Sequence, residues 1–409
     1  MPSAAIAAHE HARLGGVIFA KLFPNDDEPF RGIFVAEQLR ATADRVDWSV
    51  VAPVPWVPKR VARALRKPYA SGERVIDGSL VMWPRYPVLP KRWLYATVAP
   101  LIALTARGAF RRACARTDAA FVHVHDLYPS GAAGRRLCDA AGLPYVLTVH
   151  GLDLYSNLEN PRWKREILAA GRGARAVICV GERLATDVID ELGVDPAVVT
   201  VIPNTYDDRR YTHVERTRGP VLRILSVGRL SHEKGHDVLL RAFAQARAAG
   251  VSATLTMVGD GPERSALEAL AHDLGVDTAV EFKGVLLDEP LAAEMRSADL
   301  FVLPSRSEGF GVVLIEALAT GLPVVATRSG GPDGIVAEGD GVLVTADDVD
   351  ALFAGLRDAI ERLDTFDSAA IAARAAARYS PQAVGGMLVS VYEAVLAGAP
   401  VPNSIGARR

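Results

Sequence analysis

The sequence predicts an α/β protein of two doubly wound parallel sheets facing each other across a cleft. Three observations lead there. Short β-branched runs alternate with longer Ala-, Leu- and Arg-rich segments along the whole chain, the pattern of strands joined by crossover helices. Many of those runs are apolar without a break, as strands covered on both faces require. The 409 residues, half of them hydrophobic, also exceed one domain of about 150 residues.

Taken in order, the strand candidates of the first half are residues 17–20, 48–52, 120–124, 145–149, 177–180 and 198–202. Those of the second half are 222–227, 253–258, 280–282, 300–303, 324–326 and 341–344. Between the two sets, residues 203–220 mix Asn, Asp, Arg, Thr and Gly without periodicity. They read as a polar linker, dividing the chain into domains 1–205 and 206–380. Residues 381–396 read as one amphipathic helix at the head of a last segment, 381–409. Open α/β sheets bind ligands at the carboxyl ends of their strands, so the loops there are where chemistry is sought.

Charge and cysteine usage narrow the function classes. Lys and Arg number 46 against 48 Asp and Glu, a net of -2, which argues against a broadly basic nucleic-acid binder. Cys114, Cys138 and Cys179 are too far apart for a zinc or redox motif and suit a reducing compartment. Residues 1–13 lack the apolar core of a secretory signal, and the weakly apolar stretch 94–106 is interrupted by Pro100. That stretch is well short of the roughly 20 residues that span a bilayer. A cytoplasmic protein is expected. Residues 56–116 hold 13 Lys and Arg against Glu73 and Asp77, interleaved with Trp56, Tyr69, Trp83, Tyr86, Trp93, Tyr95 and Phe110. The segment is either a solvated basic face or a contact with an anionic surface at the inner face of the plasma membrane.

Three stretches can carry chemistry. After the strand candidate 222–227 comes Gly228-Arg229-Leu230-Ser231-His232-Glu233-Lys234-Gly235. Gly228 lets the backbone pass close to a ligand, a helix starts near His236, and Arg229 and Lys234 supply two cations. Together they can neutralise a diphosphate without a metal, or they are surface cations on an ordinary loop. After 300–303 comes Glu308-Gly309-Phe310-Gly311-Val312-Val313-Leu314-Ile315-Glu316-Ala317. Here Gly309 and Gly311 bare amides at a helix start. The carboxylates Glu308 and Glu316 can address a sugar and a ribose on one ligand. His150-Gly151 follows 145–149 and puts an imidazole at the mouth of the cleft, with His125 and Asp126 as supporting candidates. Lys283 and Gly284, closing another strand, can read a nucleobase edge through the backbone. Gly32, in Phe30-Arg31-Gly32-Ile33-Phe34, can bring the first loop near donor phosphates. No P-loop, Gly-x-Ser-x-Gly elbow or metal-ligand spacing occurs in the sequence.

Taken together, Gly-Arg-Leu-x-x-Glu-Lys-Gly at 228–235 and Glu-Gly-Phe-Gly-x(4)-Glu-Ala at 308–317 resemble the donor-site motifs of the retaining family 4 glycosyltransferases of the GT-B fold. The resemblance covers nearly the whole chain. It implies two Rossmann-like domains, the first binding acceptor and the second a nucleotide sugar, with the last helix crossing back onto the first. It further implies that Arg229 and Lys234 bind the diphosphate and Glu316 the ribose. Glu308, with the amides of Gly309, Phe310 and Gly311, would hold the transferred sugar, and His150 would contact that sugar from the first domain. The 24–38 segment lacks the family's usual paired-glycine loop and looks like that of bacterial surface-polysaccharide members, the teichuronic-acid type among them. Pro203-Asn204-Thr205 stands where the family often has Pro-Asn-Gly.

The implied activity is transfer of a hexose from a UDP- or GDP-sugar to a glycan or lipid-linked hydroxyl, with retention, by front-face attack and without a metal or other cofactor. UDP-sugars are favoured. The alternatives are a sugar-nucleotide epimerase of the same fold and a catalytically silent sugar-nucleotide binder.

Overall fold

The structure, a computed structural model, describes residues 13–25, 28–29, 31–56, 72–87, 97–151, 154 and 161–408. Its first sheet is built from β1 (Leu14–Phe19), β2 (Val46–Val51), β4 (Gly72–Ile76), β5 (Ser79–Trp83), β7 (Phe121–His125), β8 (Tyr145–Val149), β9 (Ala176–Cys179) and β10 (Val199–Val201), with the small pair β3 (Val54–Trp56) and β6 (Arg85–Pro87) beside it. The strand order is β10-β9-β8-β7-β1-β2-β5-β4. Every pairing in it is parallel except β4 with β5. Helices α1 (Ile33–Thr42), α2 (Val98–Thr117), α3 (Ala132–Ala141), α4 (Pro161–Gly173) and α5 (Glu182–Leu192) belong to this half. The interior strands β7, β8 and β9 are buried at every residue, which explains their unbroken apolar reading.

The second sheet holds β11 (Leu222–Val227), β12 (Ala253–Val258), β13 (Val280–Gly284), β14 (Leu300–Leu303), β15 (Val324–Thr327) and β16 (Gly341–Val344). It is parallel throughout, in the order β13-β12-β11-β14-β15-β16. Around it run α6 (His236–Ala248), α7 (Arg264–Asp273), α8 (Asp288–Ser297), α9 (Val312–Ala319), α10 (Gly331–Ile335), α11 (Val349–Glu361) and α12 (Ser368–Tyr379). The chain therefore forms two Rossmann-like α/β sheets, and the strand order reverses at β1/β7 in one and at β11/β14 in the other. Such reversals open a crevice at the strands' carboxyl ends. The two long motifs leave from β11 and β14, on either side of the second crevice.

Helix α13 (Pro381–Ala397) returns to the first sheet. Tyr392 packs against Trp48 and Phe121 with ring centroids 5.8 and 4.6 Å away, and Glu393 pairs with Arg45 at 2.9 Å. A Cβ on Gly385 would lie 2.0 Å from the carbonyl oxygen of Ala41 at the end of α1. Only glycine lets the two helices come so close.

Two sequence readings are corrected here. The hairpin β4–β5 lies inside 56–116, read only as a basic aromatic segment. Its turn, Asp77-Gly78, has φ of 47° and 76°, the left-handed pair that a two-residue hairpin demands. The polar reading of 203–220 also fails at its start: Asn204, Thr205, Tyr206, Asp207 and Tyr211 are buried. Thr205 Oγ1 donates to the carbonyl of Tyr379 at 2.8 Å, so this stretch threads through packed structure and its polar groups are satisfied internally. Residues 57–71 and 88–96 of the basic segment, with Tyr69, Trp93 and Tyr95, lie outside the described residues.

Candidate active site

The loop after β11 turns sharply because Gly235 has φ of 64° and a Cβ there would lie 2.1 Å from the Pro304 carbonyl oxygen. That close approach seats Lys234 against the loop after β14. Lys234 Nζ bonds Glu308 Oε2 at 2.5 Å, and Ser305 Oγ donates to the same oxygen at 3.2 Å. Arg306 fixes the pairing from behind. Its guanidinium holds Asp237, in the first turn of α6, through two bonds of 2.8 Å and reaches the His232 carbonyl at 2.7 Å and Asp347 at 2.6 Å. The backbone N–H groups of Arg306 and Ser307 both donate to the Glu233 carbonyl. The two motifs are one bonded unit.

Helix α9 starts at Gly311, with φ of 98° and no side chain capping it. Its first amides keep their ligand-binding capacity, a natural place for an anion or a sugar oxygen. Arg229 is exposed on the neighbouring loop and makes no ion pair among the described residues. A Cβ on Gly228 would lie 3.5 Å from the buried His236 ring. Lys283 is held by Glu294 at 2.6 Å, and Gly284 has φ of 71° while its carbonyl accepts from the Gly259 N–H at 2.8 Å. In the first half, Gly32 caps α1 with φ of 68°, where a Cβ would meet the Leu22 carbonyl.

Across the cleft, the His150 carbonyl oxygen stands 2.8 Å from where a Cβ on Gly309 would be, and Gly151 also faces Gly309. The structure therefore brings His150-Gly151 of one half onto Glu308-Gly309-Phe310 of the other. Phe34 of α1 packs on the His150 ring at 4.3 Å. Burial pushes the His150 imidazole down to about 3, so it is neutral at neutral pH.

Glu316 is placed apart from these groups. It is 8% exposed, accepts a hydrogen bond from the Tyr211 hydroxyl, and lies near Glu37 of α1 and Asp207. Burial, then the charge of Glu37, pushes its carboxyl up to about 8. Glu37 is also raised by burial, against the pull of Arg40.

A cleft of about 1100 Å³ opens between the halves beside the Glu308–Phe310 loop. Arg183 at the start of α5 lines one wall; Arg328 and Arg378 line the other. Arg229, Lys234, Glu316 and His150 are not among its lining residues, whereas Glu308 both lines it and bonds Lys234. Sequence reasoning missed Arg306, Tyr211 and these cleft arginines, because nothing local marks them. Among the described residues, no group of three or more His, Cys, Asp or Glu side chains is arranged to hold a metal ion.

Comparison with known proteins adds to this geometry. The model of the family described as Glycosyltransferase Family 4 matches residues 33–210, and that of glycosyl transferases group 1 matches residues 210–376. A D-inositol 3-phosphate glycosyltransferase of Acidothermus cellulolyticus is 31% identical over 322 residues, covering 70% of this chain and 70% of that protein. A Bacillus subtilis glycosyltransferase named for teichuronic acid biosynthesis is 28% identical over 349 residues, covering 81% of this chain and 85% of its own. Sucrose-phosphate synthase from Thermosynechococcus elongatus shares the fold with a TM-score of 0.76 at 20% identity, covering 95% of this chain and all (100%) of that one. The Anabaena protein HepE, solved with UDP and glucose, gives a TM-score of 0.69 at 20% identity, covering 93% and 99%. Both structural neighbours carry the two-sheet architecture described above.

Proposed function

The chain belongs to the family 4 glycosyltransferases, enzymes of the hexosyltransferase class, and from that premise we propose that it moves a hexosyl group from a UDP- or GDP-sugar to a hydroxyl of a glycan or lipid-linked acceptor. The observation that carries this reading is the Lys234–Glu308 pair at the β11/β14 reversal. Its ammonium suits a phosphate oxygen and its carboxylate suits sugar hydroxyls, so one bonded unit addresses both sides of the bond to be broken. Arg229 and the α9 amides add fixed positive potential where the leaving diphosphate gains charge. Glu316 takes the ribose, Gly228 and Gly32 allow close backbone approach, and Lys283-Gly284 faces the base. The UDP in the Anabaena structure supports a UDP-sugar donor.

In the proposed step the acceptor oxygen attacks the anomeric carbon from the face the diphosphate leaves. The bond to the phosphate oxygen breaks with its electron pair, and that oxygen takes the acceptor's proton. The anomeric configuration is retained. His150, neutral and pressed against the sugar loop, orients the hexose from the first half and helps exclude water. The arginine-lined cleft is the acceptor's approach, and the name of the Bacillus relative supports an envelope-polysaccharide acceptor. With that assignment go an acceptor domain 1–205, a donor domain 206–380 and a returning segment 381–409. No helix among the described residues is long and apolar enough to cross a membrane; contact with the membrane's inner face is assigned to the basic segment 56–116.

Incubation with UDP-glucose or GDP-mannose, followed by chromatography of the products, tests the reading. Release of UDP or GDP is expected, slow with water as acceptor and faster with a cognate glycan. Lys234→Met should cut it by about 10²–10³-fold, as loss of one group stabilising the transition state does. An isomerised sugar nucleotide with no free diphosphate would establish an epimerase, and an unaffected Lys234→Met would remove that side chain from the mechanism.

A further inference from the structure

Strand β7 ends in His123 and His125, two residues apart and so on one face of the sheet. Their rings stack with centroids 4.2 Å apart. The outer one, His125, is fully buried and meets His150 directly: its Nδ1 lies 3.1 Å from His150 Nε2. The two ring planes differ by 13° and their centroids are 5.4 Å apart, the spacing of two imidazoles joined edge to edge in one plane through that bond. This is a directed hydrogen bond, not a face contact.

From this geometry we infer that His125 is a positioning residue for His150, setting the plane of its ring and the direction of its Nε2 edge. The inference rests on the role given to His150 above. Both imidazoles are neutral: burial holds the pKa of each well below the ordinary histidine value. One proton therefore lies between them, one ring donating and the other accepting, and the shared bond holds the two rings in one plane.

The rest of the network braces His125. His123 Nε2 shares a 2.7 Å bond with Thr148 Oγ1 on β8, and His123 Nδ1 shares a 2.9 Å bond with the hydroxyl of Tyr392 on α13. The ring against which His125 stacks is therefore pinned on both edges. A tilted ring at His150 would swing its hydrogen-bonding edge away from the sugar. Partners that orient metal-bound histidines matter by about ten- to a hundredfold in activity, and the same scale is expected here.

The test compares His125→Asn, His125→Gln and His150→Ala in the full chain. The Asn side-chain amide reaches the position of Nδ1 and keeps a hydrogen-bonding group there; the Gln amide reaches toward Nε2 and does not. His125→Gln should lower kcat by about ten- to a hundredfold, with the KM for the sugar nucleotide changed less, and His125→Asn should recover most of the loss. Nitrogen-15 NMR should show the His150 ring nitrogens shifted in His125→Gln and returned toward their wild-type positions in His125→Asn. Wild-type turnover in His125→Gln together with a deficient His150→Ala overturns the assignment of His125 alone. Wild-type turnover in His150→Ala overturns the parent reading as well. His150 nitrogen shifts unchanged in His125→Gln, or failure of a folded His125→Asn to rescue, also overturns the inference.

Discussion

Replacing Glu316 by Gln is expected to stabilise the folded chain at neutral and alkaline pH while weakening nucleotide binding. The magnitude follows from the carboxyl's surroundings. Glu316 is buried beside Glu37 and Asp207, with the Tyr211 hydroxyl as its donor, and is pushed up from the usual 4.5 to about 8. Between those two values the folded chain holds a proton that the unfolded chain has released. Stability therefore falls as pH rises, by about 1.4 kcal/mol per unit. From pH 5 to pH 7 the loss amounts to about 3 kcal/mol, and above pH 8 it levels off. Gln fills the same space and still accepts from Tyr211 but has no proton to lose, so the variant escapes this slope. Other groups titrate in both proteins and largely cancel in the difference. Urea unfolding of wild type and Glu316→Gln at half-unit steps from pH 4.5 to 8.5 measures it. The variant's advantage should grow from near zero at pH 5 to about 3 kcal/mol at pH 7, while its UDP affinity drops by about tenfold. A difference that stays flat across this range refutes the argument, for it would mean that Glu316 is ionised and solvated.

Arg306→Ala removes the clamp on Asp237, Asp347 and the His232 carbonyl; a loss of about 3 kcal/mol is expected in chemical denaturation, with slower transfer because Lys234 and Glu308 lose their common support. Membrane contact is checked by flotation with anionic liposomes: Trp56 is 51% and Leu104 69% exposed, and Arg107 and Arg111 are exposed on the same helix as Leu104. Binding at low salt that disappears at high salt is expected, and failure to float at low salt discards it.

The parts of the fold legible in the sequence were those governed by local covering. β8, β11, β12, β14 and β16 begin and end where the mainly apolar runs do; β8 and β14 are buried at every residue, and a parallel strand covered on both faces reads as a nearly unbroken apolar run. The edge strand β4 gave no such signal. It is exposed along nearly its whole length and carries Glu73 and Arg74, the charges that keep an edge from pairing with another chain. Only Asp77-Gly78 betrayed the hairpin. The segment after Pro203 misled for the opposite reason: polarity suggested solvent, whereas its hydroxyl and carboxylate groups find partners inside. At the site, glycines and charged residues near each other in sequence were readable. Glu316 and Glu37 join elements far apart in the chain, and no periodicity encodes such a meeting; His125 was legible as a supporting group for His150, but their 3.1 Å bond was not.

What the two halves bring to the proposed donor site differs in kind. The second half supplies charge: Lys234 and Glu308 bonded to each other, Arg229 beside them, and the open start of α9. The first half supplies a neutral, half-buried imidazole braced by two others. A diphosphate gains negative charge as the sugar bond breaks and is best met by positive groups fixed before the reaction. The sugar gains positive character at its anomeric carbon, and a protonated histidine beside it would oppose that change. Burial that keeps His150 neutral therefore serves the same step as the exposed Arg229, from the other side of the bond. In this division, any substitution that wets the His123–His125–His150 row should slow transfer by letting His150 take up a proton, even where it leaves every donor-binding residue in place.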